Sequence, residues 1–421
     1  PGVFVMTNDY DVIVIGGGPA GSTAAGLLAK HGRSVLVLER EKFPRYHVGE
    51  SLVPGVVAVL EELGVRELIE NGQFIRKYGT TLRWGAERDL WTIHFGEVGP
   101  CEYAYEVKRA EFDNVLLGHA RGLGATVLEE ANVTEALFEA DRCVGVRYRI
   151  GRQGALTEAR ARYVIDASGQ SKLLAHRENL ISWHEDLRNI AVWTYFQGGE
   201  YFPGKDRGNI LTEYHGNGWV WVIPFADGTR SVGFVGPNDL FTASGLTPEQ
   251  YFERNLESTG EAKRLLTGAT RVADYRVTKD WSYAATRFAG PGYLMVGDAA
   301  AFVDPLFSTG VMLALKSASV AAATVGAILD DPQRESDYQK AYEHSYRDFF
   351  ETVVSFVRYF YDARRQRVDY WTRAQELIDP VQELEERADF IRLISGLGGG
   401  LEVMQIPDAV QEVTGVPVAG A

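Results

Sequence analysis

The 421-residue sequence predicts an α/β protein in which a parallel-sheet domain is interleaved with a β-rich domain and followed by a helical region. Three observations carry this expectation. The chain opens on a strand, a glycine-rich turn, a helix and a second strand. Two more apolar strands ending in polar glycine turns recur far downstream, at Val164–Gly169 and Tyr293–Ala299. Aromatic and aliphatic residues between Tyr338 and Trp371 fall at the i, i+3, i+4 spacing of a helix buried on one face.

The opening unit reads D-V-I-V-I at Asp11–Ile15, then Gly16-Gly17-Gly18-Pro19-Ala20-Gly21, a helical stretch Ser22–His31 and a strand Ser34–Leu38 that ends at Glu39 and Arg40. GxGxxG spacing falls on Gly16, Gly18 and Gly21. The first glycine makes a tight turn, the second lets backbone approach a pyrophosphate, and the third allows close helix–strand packing. The helix N-terminus then faces the phosphates. An acid about 20 residues on, here Glu39, accepts ribose hydroxyls. The unit is a Rossmann-type dinucleotide site, to which Ala20 and Arg40 also belong.

Composition narrows the function classes. A content of 45% hydrophobic residues buries a large core and excludes disorder. A net charge of −14 repels phosphate backbones, so nucleic acid is not an expected partner. The cysteines, Cys101 and Cys143, lack CxxC spacing and suit a reducing cytoplasm. The histidines show no metal-ligand spacing, and no metal is expected. Gly310–Leu329 is apolar, but Lys316, Ser317 and Ser319 interrupt it, so a buried helix is expected rather than a membrane span. Pro1–Val5 read as a remnant ahead of Met6, without a targeting segment, and the tail beyond Gly396 is glycine-rich and expected to be poorly ordered.

The downstream motifs carry a family resemblance. Tyr293-Leu294-Met295-Val296-Gly297-Asp298-Ala299 resembles the second FAD motif of flavoprotein monooxygenases, whose aspartate, here Asp298, binds the ribityl chain. Val164–Gly169 is also typical of that family, and Arg109 stands where it places an arginine near FAD. Gly218-Trp219-Val220-Trp221-Val222-Ile223-Pro224 and Phe302–Gly310 narrow the likeness: GWxWxIP and FxxPxxSxG resemble the flavin-dependent halogenases. Phe43–Leu52 and the Lys77-Tyr78-Gly79 region extend it. The resemblance implies a Rossmann-type FAD-binding domain over residues 1–84, 107–175 and 281–330, a substrate domain over 85–106 and 176–280, and a helical region over 331–421. It implies FAD as cofactor, chloride or bromide as co-substrate, and a separate NAD(P)H flavin reductase, since no second GxGxxG is present. Arg45 and Ser51 become expected FAD contacts, while His47 and Glu50 read as parts of the same flavin-facing loop.

Each constellation has a physical sense. Trp219 and Trp221 face one side of a strand and make a rigid apolar wall. Such a wall keeps an aromatic ring from oxygen-activated flavin while a small anion is oxidised. Ser308, Thr309 and Gly310 open a helix whose N–H groups favour a halide, with Gly310 also against FAD; an ordinary N-cap uses the same geometry. The resemblance implies Lys77 as the catalytic residue, since halogenases of the phenol and pyrrole type carry a lysine in a similar K-x-G context that receives hypohalous acid and presents it to the ring, a role that suits an amine whose pKa burial can lower. Strand alternation puts Arg76 on the other face. Tryptophan halogenases carry a glutamate where this chain has Phe307, which points to phenols or pyrroles, free or on a carrier protein, rather than free tryptophan. An aromatic monooxygenase of the same fold is the alternative enzyme; a non-catalytic flavin-binding partner is the alternative outside enzymes.

Overall fold

The computed structural model describes residues 9–216, 218–279, 281–378 and 386–397. The expectations about Met6 and about the tail from Gly398 onward lie outside the described residues.

Asp11–Ile15 lies within the strand Tyr10–Ile15, whose inner residues are fully buried β-branched side chains. It pairs in parallel with Val35–Leu38 on one side and with the end of Leu156–Asp166 on the other. Tyr293–Met295 continues the parallel run beyond Asp166, and Thr126–Leu128 continues it beyond Leu38. Parallel strands all end at the same edge. Gly16, Glu39, Ser168 and Asp298, scattered over the sequence, therefore meet along one rim of this sheet, where α/β folds bind ligands. The helix Pro19–Lys30 packs between Arg109–Gly122 and the long helix Gly310–Asp330. The last of these is the apolar segment read as a core helix, and most of its residues are buried.

A second sheet forms the β-rich part. Among the described residues its order runs Thr270–Arg271, Asn189–Gln197, Thr229–Pro237, Gly218–Pro224, Ile210–His215, Gly79–Arg83, Leu90–His94, with Arg276–Lys279 also paired to Asn189–Gln197. The period-two expectation holds along Gly218–Pro224. Trp219, Trp221 and Ile223 pack toward the Rossmann part; Val220 and Val222 join a separate core with Phe234, Tyr251 and Phe252, backed by the helix Pro248–Glu257. The chain enters this sheet at Gly79, ahead of the expected boundary at residue 84, because Gly79–Arg83 pairs with both Ile210–His215 and Leu90–His94.

The C-terminal helix expected over Tyr338–Trp371 is two helices, Glu335–Phe360 and Arg367–Ile378. The Asp362 side chain accepts the Arg364 N–H at 3.3 Å, and Asp369 caps the second helix by accepting the Gln366 N–H at 2.8 Å. These side chain–backbone bonds offer the chain a turn that apolar spacing does not reveal.

One buried ion cluster ties the layers. Asp113 accepts Arg109 through both oxygens, at 2.7 and 3.0 Å, and Arg45 at 2.6 Å. Burial pushes the Asp113 carboxyl up, but the two guanidinium groups outweigh it and hold the pKa below the usual carboxylate range. Removing one partner of such a cluster strands buried charge. Asp113→Ala is therefore expected to cost about 3–5 kcal/mol of unfolding free energy in urea titration. Asp113→Asn, which keeps a hydrogen-bond acceptor, should cost less.

Candidate functional site

An elongated cavity runs from the rim of the parallel sheet to the tryptophan strand. At one end Gly16, Gly18, Glu39, Arg40 and Ser168 line it; at the other are Trp219, Trp221, Phe302, Pro305 and Ser308.

The glycines at the first end do different work. A Cβ on Gly21 would stand 1.9 Å from the Gly16 carbonyl oxygen, and one on Gly16 would stand 2.4 Å from that of Ala167. Those two serve the protein's own packing. Gly18 has an ordinary φ of −67°, and a Cβ there would meet only Arg45 Nη2 at 3.5 Å. Neither backbone nor packing demands glycine at 18, so the space it leaves serves a ligand. The helix it precedes has no side-chain N-cap. Glu39 accepts the Gly17 and Glu41 N–H groups, each at 2.7 Å, one on each oxygen, and each oxygen keeps capacity for a ribose hydroxyl. Asp298 lines the cavity, accepts from Gln170 at 2.9 Å, and has its pKa raised by burial. Ala20 and Arg40 line the cavity as well, and Arg40 reaches Ser171 at 2.8 Å. This lining fits FAD.

The loop Phe43–Ser51 crosses the middle of the cavity. Arg109 Nη1 donates to the Val48 carbonyl at 2.8 Å and the Gly49 carbonyl at 3.2 Å, so the Asp113 cluster fixes the loop. Arg45, His47, Glu50 and Ser51 face the cavity from it. Burial lowers the His47 pKa to about 4, and its ring is neutral at pH 7.

At the far end Trp219 and Trp221 stand 6.0 Å apart, and Trp193, which the sequence reading missed, joins them at 6.4 Å from Trp221. All three line the cavity. The Trp219 indole N–H donates to Tyr361 Oη at 2.9 Å, and Tyr361 donates to Asp304 at 3.0 Å. Asp304 also accepts the Leu306 N–H, so the wall is fastened to the Pro305–Gly310 turn. Ser308 holds a left-handed φ of +58°, a conformation that costs a non-glycine residue about 1 kcal/mol. The first helical bond runs from Leu313 N–H to the Thr309 carbonyl, and no side chain caps the helix. Among the described residues the N–H groups of Gly310, Val311 and Met312 have no acceptor. Ser308 and Gly310 line the cavity; Thr309 is buried and does not. Phe307 points away, into Phe356 and Phe360.

Lys77 is wholly buried, while Arg76 is exposed on the opposite face and reaches Glu70 at 2.9 Å. Lys77 Nζ donates to Ser51 Oγ at 2.8 Å and to the Leu52 carbonyl at 3.0 Å. Ser51 Oγ in turn donates to Glu106 at 3.1 Å. Ser51 was expected as a cofactor contact. It does border the cavity, but its hydroxyl is committed to Lys77 and Glu106, and it is the group interposed between cavity and amine. Burial lowers the Lys77 pKa to about 8 against the opposing pull of Glu106. Burial raises Glu106 to about 8, opposed by Lys77 and Ser51. Glu106 escaped the sequence reading because it becomes a partner of Lys77 only through pairing of Ile75–Lys77 with Ala104–Glu106.

Comparison with known proteins agrees with this geometry. The sequence matches the tryptophan halogenase family over residues 11–102 and 97–400. The chain belongs to that family of flavin-dependent halogenases. It is 35% identical over 377 residues to a tryptophan 2-halogenase of Chondromyces crocatus, covering 88% of this chain and 72% of that protein. It spans 63% and 64% of two fungal relatives, the halogenase ptaM of Pestalotiopsis fici and the sulochrin halogenase gedL of Aspergillus terreus. A 1H-pyrrole-2-carbonyl-[peptidyl-carrier protein] chlorinase of Pseudomonas fluorescens is 31% identical, over 96% of this chain and 93% of that one. Among solved structures, the myxobacterial chondrochloren halogenase CndH superposes with TM-score 0.81 at 34% identity, covering 98% of this halogenase and 99% of CndH. The halogenase uses FAD and a halide.

Gly18→Val should give folded, colourless protein, because the added atoms occupy ligand space only. Gly21→Ala should instead destabilise the fold by roughly 1–3 kcal/mol through overpacking. Visible absorbance and urea titration of the two variants separate these outcomes.

Proposed function

We propose that the halogenase acts on an electron-rich phenol or pyrrole, presented free or on a carrier protein, with Lys77 delivering the halogen. The observation that carries this reading is the placement of Lys77: a buried amine of lowered pKa, one serine hydroxyl from the cavity, in a chain whose residue 307 is an aromatic packed into the core. Without a glutamate at 307, a ring activated by its own heteroatom suits the site best. The carrier-bound form is supported by the near full-length match to the pyrrolyl-carrier chlorinase. An indole is the second reading, favoured by the relative named a tryptophan 2-halogenase.

When bound, FAD reduced by a separate flavin reductase would give two electrons to O2, and chloride or bromide would give the other two in becoming hypohalous acid. The unpaired N–H groups at Gly310–Met312 and the positive end of that helix would hold the halide against the cavity. The wall of Trp193, Trp219 and Trp221 excludes bulk water and larger rings from that end. At Lys77 the amine either holds hypohalous acid by hydrogen bond or takes its halogen, forming a haloamine and releasing water. The second course needs the neutral amine, whose share grows as pH rises through about 8. Two free thiols, Cys101 and Cys143, suit the reducing cytoplasm proposed as its compartment.

Mass spectrometry of pyrrole, phenol and indole acids, free and carrier-bound, with enzyme, flavin reductase, NADH, O2 and halide, tests the substrate. Exclusive halogenation of free tryptophan would overturn the reading. Lys77→Ala should retain FAD and O2 consumption while product falls by about 10²–10⁴-fold. Lys77→Arg should fail equally, and Arg76→Ala should retain product. Glu106→Gln removes the charge that raises the Lys77 pKa, so the rise of product formation with pH should move to lower pH. Purified enzyme without reductase should oxidise NADPH only slowly; rapid, substrate-stimulated oxidation would favour a monooxygenase.

A further inference from the structure

Making hypohalous acid consumes protons. With X− the halide, FADH− + O2 + X− + 2 H+ gives FAD + HOX + H2O: the halide loses two electrons, reduced flavin loses two, and O2 takes all four. Two protons must be delivered to the cavity in every turnover, and the indoles that line its far end carry no titrating group to supply them.

A chain of hydroxyl groups leads in. Tyr46, 39% exposed, accepts the Trp193 indole N–H at 2.7 Å and shares a 2.8 Å hydrogen bond with Tyr195 Oη. Tyr195 donates to Glu50 Oε1 at 2.7 Å. Because Tyr195 gives its proton to Glu50, its oxygen is left to accept from Tyr46, and the chain has one direction. Glu50 is buried and borders the cavity, and its other oxygen, Oε2, lacks a well-formed hydrogen bond, with the Ser231 hydroxyl near enough only to favour its charge. An orphaned buried carboxylate oxygen is costly unless it carries a proton or serves a ligand. Ser231, whose hydroxyl accepts the Trp221 indole N–H at 3.1 Å, lies beside Glu50, so the carboxyl is at the tryptophan end of the cavity.

We propose that Glu50 is the proton donor of this cavity and that Tyr195 and Tyr46 reload it from solvent. The proposal rests on the halogenase reading for the identity of the reaction, and on the hydrogen-bond chain for the path. In each transfer the Oε2–H bond breaks toward the nascent hypohalous acid or water. Oε1 then takes the Tyr195 proton, Tyr195 takes that of Tyr46, and Tyr46 takes one from solvent. A half-turn of the carboxyl restores the donor. The groups facing Glu50 are Tyr195 and Tyr46, the cations Arg109 and Lys108, and Glu106. Burial raises its pKa to about 7 over the opposing effects of Tyr195, Ser231 and the two cations, so the donor is half protonated near neutrality and lost as pH rises further.

The test uses the FAD-loaded enzyme. Infrared spectroscopy should show a protonated-carboxyl band that titrates near pH 7 and is absent from Glu50→Gln. Stopped-flow reoxidation of reduced flavin with bromide should slow above pH 7 and in D2O in the parent. In Glu50→Gln it should be about 10²-fold slower and insensitive to pH between about 6 and 8. Tyr195→Phe, which does not border the cavity, should keep the infrared band and the FAD spectrum but slow repeated turnover several-fold, and Tyr46→Phe should add little to it. An unchanged pH profile and solvent isotope effect in both Glu50→Gln and Tyr195→Phe, or no titrating band, would overturn the proposal. If Glu50→Gln loses FAD, Tyr195→Phe decides alone. Trapping hypobromous acid with a chromogenic acceptor separates the two readings: a parent that shows the band and the isotope effect but yields no trapped oxidant refutes the halogenase reading and leaves the proton path standing.

Discussion

Asp113 is the carboxylate on which the site hangs. It is buried, and only the guanidinium groups of Arg109 and Arg45 make its charge tolerable. Arg109 Nη1 donates to the Val48 and Gly49 carbonyls, so the cluster decides where the Phe43–Ser51 loop lies. That loop carries Glu50 toward Tyr195 and Ser51 toward Lys77. The flavin cavity and the buried amine are thus placed by one ion cluster at the start of one helix.

Sequence made the nucleotide end legible because each part of it has a local cause. Glycine spacing, a β-branched run and an acid at the next strand end are fixed by neighbours in the chain, and Gly16, Gly18, Gly21 and Glu39 all sit where such spacing puts them. The alternation of Trp219 and Trp221 was equally local. Lys77 and Arg76 separated onto opposite faces for the same reason.

Other parts depend on pairings that no local rule reports. Glu106 meets Lys77 across a two-stranded ladder, and Trp193 joins the wall from a different strand of the sheet. Tyr361 looked like one more core residue in a helical stripe; its hydroxyl instead ties Trp219 to Asp304, and the helix breaks there. Thr309 shares with Ser308 and Gly310 the helix opening expected to hold a halide, yet the turn buries it away from the cavity. The left-handed backbone at Ser308 breaks the simple succession of directions that a linear reading assumes.

The adjacency of Glu50 and Ser51 also limits how a chain of this kind can diverge. Their backbone is held by the Glu106 bridge and by bonds from Leu52 N–H to Tyr105 and from Val107 N–H to Glu50. Side chains along such a paired stretch alternate in direction. Gaining a single codon ahead of Glu50 would set the carboxylate where Ser51 now meets Lys77, and losing one would set the hydroxyl where Glu50 now meets Tyr195, so either change of length dismantles both halves of the site at once. Point substitution can explore this segment one residue at a time; a change of length inside it cannot be gradual. A change of length there would also have to leave in place the hold of Arg109 on the Val48 and Gly49 carbonyls.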